Sequence, residues 1–277
     1  MKIGRSIRHL FHPVVGEIWC MHRVLPERSG FKSNRELEIT PEYLERAIVD
    51  YLADGYRFVS TDEFVAASAD RRLCHAKRLV NVTFDDGYVD VFEYAYPILL
   101  KHQIPFTIYL TTDMPDGKAD LWWVQLENMA NGDVAWFEVM LRQIYESGEN
   151  MPDVMHRLTQ TQPDLDLNKN LALTWEQLAQ MQVEGLCTIG SHTVTHPGLD
   201  RISEEQVAYE LGASKRRIEE VLKMQVCHFS FPHSFYNDVV TQAVWEAGYR
   251  SAVIGYGGKT RWERGRRLFY RRNMVQV

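Results

Sequence analysis

Two groups of side chains that could carry chemistry stand about a hundred residues apart in the chain. Asp85 and Asp86 come directly after the apolar, β-branched run 79–84, and His192 and His196 follow a second short β-type run. Adjacent carboxylates repel each other unless a cation lies nearby or one of them takes up a proton. They also cannot both face the core, because neighbouring side chains alternate across a strand. The aspartates therefore indicate a site rather than a stabilising element.

The two histidines are close enough, on a helical turn or a tight loop, to share one metal ion. Two histidines and one carboxylate make a three-ligand set that leaves coordination positions open for water and substrate, which is the catalytic arrangement. The structural alternatives are an Asp-Asp-Gly turn that caps the next helix and a solvated loop around the histidines. A site is favoured because both groups stand at the C-terminal end of a predicted strand.

The elements that must position these residues are apolar runs separated by amphipathic segments with helix caps. Thr40 precedes Pro41 at the start of one helix, and Thr174 with Gln177 forms a capping-box pattern at the start of another. Alternating strands and helices predict a parallel sheet or barrel, with its site at the carboxyl ends of the strands. The strands are predicted at 17–22, 56–59, 79–84, 105–111, 187–190, 226–231 and 249–254.

The alternation stops at about residue 114 and resumes near Thr174. Residues 114–170 have helical periodicity and no clear strand, so we predict a helical insertion, with a lid over the site as one role. The adjacent Trp122 and Trp123 suit either core packing or a platform on which a sugar ring stacks.

The composition is that of a soluble globular protein, with 45% apolar and 25% charged residues in 277. A net charge of −6 gives no reason to expect nucleic acid as a partner. The basic N-terminus is followed by no apolar core of a signal peptide, and no run approaches the ~18 apolar residues of a spanning helix. We therefore expect a cytoplasmic protein. The sequence carries no signal for an oligomeric state.

Both motifs resemble those of the polysaccharide deacetylases, carbohydrate esterase family 4. Residues 83–88 (TFDDGY) look like the family's first motif and residues 191–197 (SHTVTHP) like its second. The resemblance covers nearly the whole chain outside the insertion. It implies an α/β fold, a distorted (β/α) barrel of about seven strands in a single domain over 1–277. It also implies hydrolysis of an N-acetyl group on a sugar.

The resemblance assigns roles to the motif residues. Asp85 is expected to be the catalytic base, and Asp86, His192 and His196 the metal ligands. Zinc is the default metal for a hydrolytic site with two histidines and one carboxylate, and ferrous iron, cobalt and nickel are the alternatives. The expected partner is an N-acetylated carbohydrate.

The chain departs from the family pattern in two places. The third motif normally begins with an arginine that orients the base, but here it reads SFPH over 230–233. The family's late motif contains a histidine that acts as the acid, but here no histidine follows His233. The tail 267–272 (RLFYRR) is similar to the arginine-bearing tails of members that modify surface polysaccharides, as is MHRV at 21–24. We therefore predict that Arg271 or Arg272 returns to the site and pairs with Asp85.

The proton that the departing amine needs has two predicted sources. His233 and His22 both end predicted strands on the face where sites of this architecture lie. His233 is favoured over His22, and either could instead be a hydrogen-bonding residue beside the site.

The leading hypothesis is a metal-dependent N-deacetylase of an acetylated sugar in a polysaccharide or in its lipid- or nucleotide-linked precursor. An amide hydrolase for a small non-sugar substrate and a catalytically inactive carbohydrate-binding relative are the alternatives. Seven basic residues and one acid within 259–272, interleaved with aromatic side chains, also predict a contact with an anionic membrane, at its inner face. A solvated basic surface is the alternative for this cluster.

Overall fold

The computed structural model describes residues 14–29, 31–69, 78–255, 260–261 and 269–274. Ten of its strands form one sheet, in which seven parallel strands follow the order β1-β5-β6-β7-β8-β9-β11. The strands are β1 Val14–Met21, β2 Arg23–Val24, β3 Glu38–Ile39, β4 Arg57–Phe58, β5 Leu79–Asp86, β6 Phe106–Leu110, β7 Cys187–Ser191, β8 His228–Ser230, β9 Ser251–Ile254, β10 Thr260–Arg261, β11 Phe269–Arg271 and β12 Asn273–Met274.

Helices cover the outside of this sheet and fill most of the connections. They are α1 Lys32–Arg35, α2 Pro41–Ala53, α3 Thr61–Ala69, α4 Tyr96–Lys101, α5 Trp122–Ala130, α6 Val134–Glu146, α7 Met151–Thr159, α8 Leu165–Leu171, α9 Trp175–Val183, α10 Glu204–Leu222 and α11 Asp238–Glu246. A π-helical turn, Val91–Ala95, precedes α4, and Pro97 lies in the first turn of α4.

The C-terminal segment 269–274 joins the two ends of the row of strands. Strand β11 pairs in parallel with β9, and β12 pairs in parallel with β1. Between them lies a single residue, Arg272, whose side chain is 1% exposed. The curled parallel sheet confirms the predicted distorted (β/α) barrel of about seven strands.

Local sequence explains where the helices begin. Thr40 accepts a hydrogen bond from the Tyr43 backbone N–H ahead of α2, with Pro41 in the first turn. Both hydrogen bonds of the predicted capping box form between Thr174 and Gln177 at the start of α9.

The segment between β6 and α9 contains helices α5 to α8, as predicted for 114–170. Helices α5 to α7 share an apolar core, which includes Trp122, Leu126, Phe137 and Ile144. That core is separate from the main cluster between the sheet and the outer helices. The insertion is thus a packed helical unit beside the carboxyl ends of the strands.

The basic cluster predicted to touch a membrane falls mostly on residues that the structure does not describe, namely 256–259 and 262–268. For Arg261 and Arg271 only the backbone is described. Among the described helices, none is both long and apolar enough to cross a membrane.

Candidate active site

The residues predicted to form the site come from four strand ends that meet on one side of the barrel. Asp85 and Asp86 are the last two residues of β5, and His22 follows β1. The histidine loop begins directly after β7, and His233 lies in a turn just beyond β8. Parallel strands place their carboxyl ends on the same face, so these separate motifs converge.

Asp86, His192 and His196 form a compact three-ligand cluster. Asp86 Oδ1 lies 3.4 Å from His192 Nε2 and 3.3 Å from His196 Nε2. Three corners of a tetrahedron with metal–ligand bonds of about 2.0–2.1 Å are separated by roughly 3.3–3.4 Å. Asp86 Oδ1 is buried and has no hydrogen-bond partner among the described residues. A buried carboxylate oxygen in that state needs a cation, so the three residues fit one divalent metal ion.

The backbone around the cluster is held in a conformation that L-residues seldom adopt. Asp86, Thr193 and His196 have φ values of 72°, 72° and 62°, each in the left-handed region. Such residues cost on the order of 1–3 kcal/mol each and concentrate at functional sites. Gly87, which directly follows Asp86, has a φ of 112°, and a Cβ there would lie 2.6 Å from the Leu110 side chain. This position therefore requires glycine.

Hydrogen bonds behind the cluster fix the orientation of the histidine loop. His192 Nδ1 lies 2.8 Å from the Ser230 carbonyl oxygen, which places the ring proton on Nδ1 and leaves Nε2 for a metal. Glu210 on α10 accepts from the backbone N–H groups of Val194 and Thr195 at 2.7 and 3.0 Å, and from the Thr195 hydroxyl at 2.8 Å. A buried carboxylate therefore supports the loop that carries both histidines.

Asp85 forms a buried, bidentate ion pair with Arg272. The guanidinium Nη1 and Nη2 atoms donate to the two carboxylate oxygens at 2.6 and 2.5 Å. The Ser230 hydroxyl donates to Asp85 at 3.2 Å and accepts from Arg272 at 2.9 Å. Planar, two-point pairing of this kind fixes a carboxylate in direction as well as in charge.

The electrostatics of the two aspartates follow from their neighbours. Burial raises the pKa of Asp85, but the charges of Arg272 and His192 more than offset it, so the pKa lies below its ordinary value. Burial also raises the pKa of Asp86, but His196 and His192 bring it well below the usual range. Burial lowers the pKa of His192, but the charges of Asp85 and Asp86 raise it by more than that, so the net shift is upward. Both carboxylates are therefore ionised at neutral pH.

His22 lies on the Asp85 side of the site. It forms a second group of potential ligands with Cys20 and Asp85, and its Nδ1 is buried without a hydrogen-bond partner in the described part of the chain. Burial lowers the pKa of His22, and the charge of Asp86 offsets only part of that effect. Burial raises the pKa of Cys20, so this thiol is protonated.

His233 packs against the cluster of Asp86, His192 and His196. Its ring packs on the ring of His196 with centroids 4.5 Å apart and an angle of 66°. Burial lowers the pKa of His233 well below its ordinary value, and the nearby His196 adds to that effect. The ring is therefore neutral at pH 7.

The site opens into a cleft of about 970 Å³, bounded on one side by the insertion. Trp123 packs its ring 5.1 Å from His196 and donates its indole N–H to the Tyr88 hydroxyl at 2.8 Å. Trp122 is 1% exposed and belongs to the core of the insertion. Both tryptophans border the cleft, and Trp122 belongs in addition to the core of the insertion.

The structure brings together Asp85, Asp86, His192, His196, His22 and His233, all of which border this cleft. Of the two tail arginines, Arg272 contacts Asp85, so it fills the position for which Arg271 was also considered. The backbone of Arg271 pairs with β9, and its side chain is not described. The contact with Asp85 for which Arg271 was considered is thus made by Arg272.

Two further residues of the site escaped the sequence analysis. Ser230 stands only within the SFPH segment of the third motif, and no motif contains Glu210. Glu210 lies on the buried face of α10 together with Val207 and Leu211. A charged residue in an apolar stripe is the signal that could have identified it.

A parallel barrel whose strand ends hold a cluster of two histidines and one carboxylate, beside an arginine-paired aspartate, is typical of a metal-dependent hydrolase. Comparison with known proteins gives the family. The family model described as "Polysaccharide deacetylase" matches residues 72–252. This chain belongs to the polysaccharide deacetylase family.

Individual relatives are distant. The chain is 23% identical over 196 residues to the protein named "Putative polysaccharide deacetylase YxkH" of Bacillus subtilis, a match that covers 71% of this chain and 51% of that protein. It therefore spans about half the length of this curated relative. Two solved structures share the fold over nearly the full length of both chains. The Streptococcus pyogenes deacetylase PplD has a TM-score of 0.68 at 21% identity, covering 96% of this chain and 93% of the other. IcaB from Ammonifex degensii has a TM-score of 0.65 at 22% identity, covering 95% and 92%.

Proposed function

We propose that this chain is a metal-dependent hydrolase that removes the N-acetyl group from an acetylated sugar. The substrate would be a surface polysaccharide or its lipid- or nucleotide-linked precursor. The observation that carries the proposal is the Asp85–Arg272 ion pair directly beside the Asp86, His192 and His196 cluster. Membership of the polysaccharide deacetylase family supports an acetylated carbohydrate as substrate.

Asp86, His192 and His196 would hold the metal, with zinc as the first choice for this ligand set. A divalent ion bound there would polarise the acetyl carbonyl and lower the pKa of water. The rest of the reaction depends on residues of the chain itself. Asp85 is ionised and held by Arg272, so its carboxylate can take the proton of the attacking water.

The departing amine must receive a proton as its bond to the acetyl carbon breaks. His22 and His233 are the two further imidazoles of the cleft, and burial lowers the pKa of both. Each is therefore neutral at pH 7. The proton that Asp85 takes from the attacking water balances the reaction, and the imidazole would relay it to the amine. His233 packs against His196, whereas His22 lies beside Asp85. We therefore assign the leaving amine of the substrate to the part of the cleft that His233 borders.

Release of acetate from N-acetylated sugars, oligosaccharides and sugar nucleotides tests the proposal directly. His192→Ala should lose both bound metal and activity. Asp85→Asn should keep the metal and lose about 10²–10⁴-fold in turnover, the usual scale for removal of a general base. His102→Ala, at the end of α4 and away from the cleft, is the matched control.

Retention of stoichiometric metal by His192→Ala after dialysis would contradict the ligand assignment. Near-normal turnover of Asp85→Asn would show that another residue is the general base.

A panel of small non-sugar amides separates this proposal from an amide hydrolase of different specificity. Binding of acetylated sugars without acetate release from any of them would instead identify an inactive carbohydrate-binding protein. Co-sedimentation with anionic and neutral vesicles over a salt series tests the membrane contact predicted from residues 259–272.

A further inference from the structure

Tyr145, on helix α6 of the insertion, reaches across to His233 on the barrel. Its hydroxyl oxygen lies 3.2 Å from His233 Nδ1, within hydrogen-bond distance. The two rings meet edge to face, with centroids 5.8 Å apart and an angle of 82°. The contact joins residues 88 positions apart in the chain.

The backbone of Tyr145 is anchored to the barrel by a second contact. Arg201, which follows the histidine loop, donates from Nη2 to the Tyr145 carbonyl oxygen at 2.7 Å. The Arg201 guanidinium also lies over the Phe235 ring, 4.3 Å from its centroid. On the other side, Phe137 and Ile144 hold α6 in the core of the insertion. The backbone at Tyr145 is therefore held from both sides, while the residue is 36% exposed.

Two features of His233 indicate that its side chain contacts a bound ligand. Its Nε2 atom is buried and has no hydrogen-bond partner anywhere in the described ranges. Its backbone has a φ of 54°, in the left-handed region. A buried polar atom without a partner destabilises the fold, and a left-handed backbone conformation adds to that cost. Because His233 lines the cleft, a bound molecule is the partner that would satisfy Nε2.

We propose that Tyr145 is a positioning residue for the reaction: its hydroxyl donates to His233 Nδ1, so that the ring proton lies on Nε2 and is offered to the amide group of the bound substrate. The hydrogen bond at one imidazole nitrogen decides which nitrogen carries the proton. A neutral imidazole can serve as a hydrogen-bond donor to a reacting carbonyl. The inference rests on the proposed deacetylase activity and gives the insertion a part in it.

A double-mutant cycle tests whether Tyr145 acts through His233. Tyr145→Phe keeps the ring and removes only the hydroxyl. His233→Gln keeps an N–H donor near the position of Nε2 and removes the acceptor for Tyr145. Tyr145→Phe should lower kcat about tenfold, the low end for partners that orient a site residue, without change in KM or metal content. In the His233→Gln background the same change should have no further effect.

Tyr209→Phe, on the exposed face of α10, is the matched control and should leave kcat unchanged. Equal losses from Tyr145→Phe in the wild-type and His233→Gln backgrounds would overturn the proposal, because the tyrosine would then act independently of the histidine. A kcat within twofold of wild type for Tyr145→Phe would overturn it as well.

A second measurement does not depend on activity. Long-range ¹H–¹⁵N spectra of histidine-labelled protein, assigned with the His233→Gln variant, report which ring nitrogen carries the proton. We expect a single tautomer with the proton on Nε2 in wild type and a mixture in Tyr145→Phe. A proton on Nδ1 in wild type would refute the inference. Absence of acetate release by wild type would instead refute the proposed activity, while the spectra would still decide the role of Tyr145.

Discussion

Replacement of Arg272 by methionine should have a large effect on both stability and turnover. Methionine has similar length but no charge, so it leaves the Asp85 carboxylate buried without its counter-ion. The side chains of Arg272 and Asp85 are 1% and 3% exposed, so solvent cannot take over the role of the guanidinium. Removal of one partner from a buried ion pair costs about 3–5 kcal/mol.

The assay is urea unfolding of wild type and variant, with and without a chelator. The double variant Arg272→Met/Asp85→Asn removes both charges and should be destabilised less than Arg272→Met alone, because no unpaired charge remains. The matched control is Arg157→Met. Arg157 also makes a bidentate pair, with Glu149, but both side chains are more than half exposed, so the loss should be small.

The pH dependence gives an independent check. In wild type the pKa of Asp85 is depressed, so the stability from ionised Asp85 is present above its unfolded pKa of about 4 and is lost as pH falls through the folded value. In Arg272→Met the largest opposing charge is lost and that of His192 remains, so burial should then raise the pKa of Asp85 above its ordinary value. The variant should therefore lose stability as pH rises above about 4, and its deficit relative to wild type should shrink between pH 7 and pH 5.

Turnover of Arg272→Met should fall at least about tenfold with metal still bound, because the base is no longer held in direction. The reasoning is refuted if Arg272→Met is no less stable than Arg157→Met at pH 7, or if its deficit is the same at pH 5 and pH 7.

Two further predictions concern the support of the histidine loop. Glu210→Ala should weaken metal binding by about 10–100-fold in a chelator competition, because the loop loses three hydrogen bonds, and unchanged affinity would remove Glu210 from the site. Asp113 has a pKa raised to about 6 by burial and by the charge of Glu210, so stability is lost as pH rises from about 4 through 6. Asp113→Asn should therefore be more stable than wild type at pH 7.5, on the order of 1 kcal/mol once solvent screening is counted, and equal to it near pH 4. A gain that persists at pH 4 would show another cause.

The cluster of Asp86, His192 and His196 could be predicted because each of its residues lies in a short, recognisable sequence motif. Each motif directly follows an apolar run, and parallel strands bring their carboxyl ends together whatever lies between them. The partner of Asp85 was harder to define, because it lies 187 residues away. Adjacent residues of an extended segment point to opposite sides, so only one of Arg271 and Arg272 can face the interior. The tail sequence alone did not say which one.

The parts that the sequence did not predict depend on tertiary packing. The strands β11 and β12 are only three and two residues long, and they pair with β9 and β1 at the two ends of the row of strands. The contact of Tyr145 with His233 depends on how the insertion docks on the barrel. No periodicity within α6 indicates that contact.

The closure of the barrel by residues 269–274 also sets an order of events during synthesis and folding. The segments that carry Asp85, His192 and His233 leave the ribosome before Arg272 does. Until Arg272 arrives, Asp85 has no counter-ion, and burial of its carboxylate is unfavourable. β1 likewise has no β12 beside it, and β9 no β11. The pairing of β12 with β1 joins residues far apart in sequence, and pairings of this kind are slow to form. A nascent or truncated chain that lacks the closing segment therefore contains Asp86, His192 and His196 but leaves Asp85 without its partner Arg272.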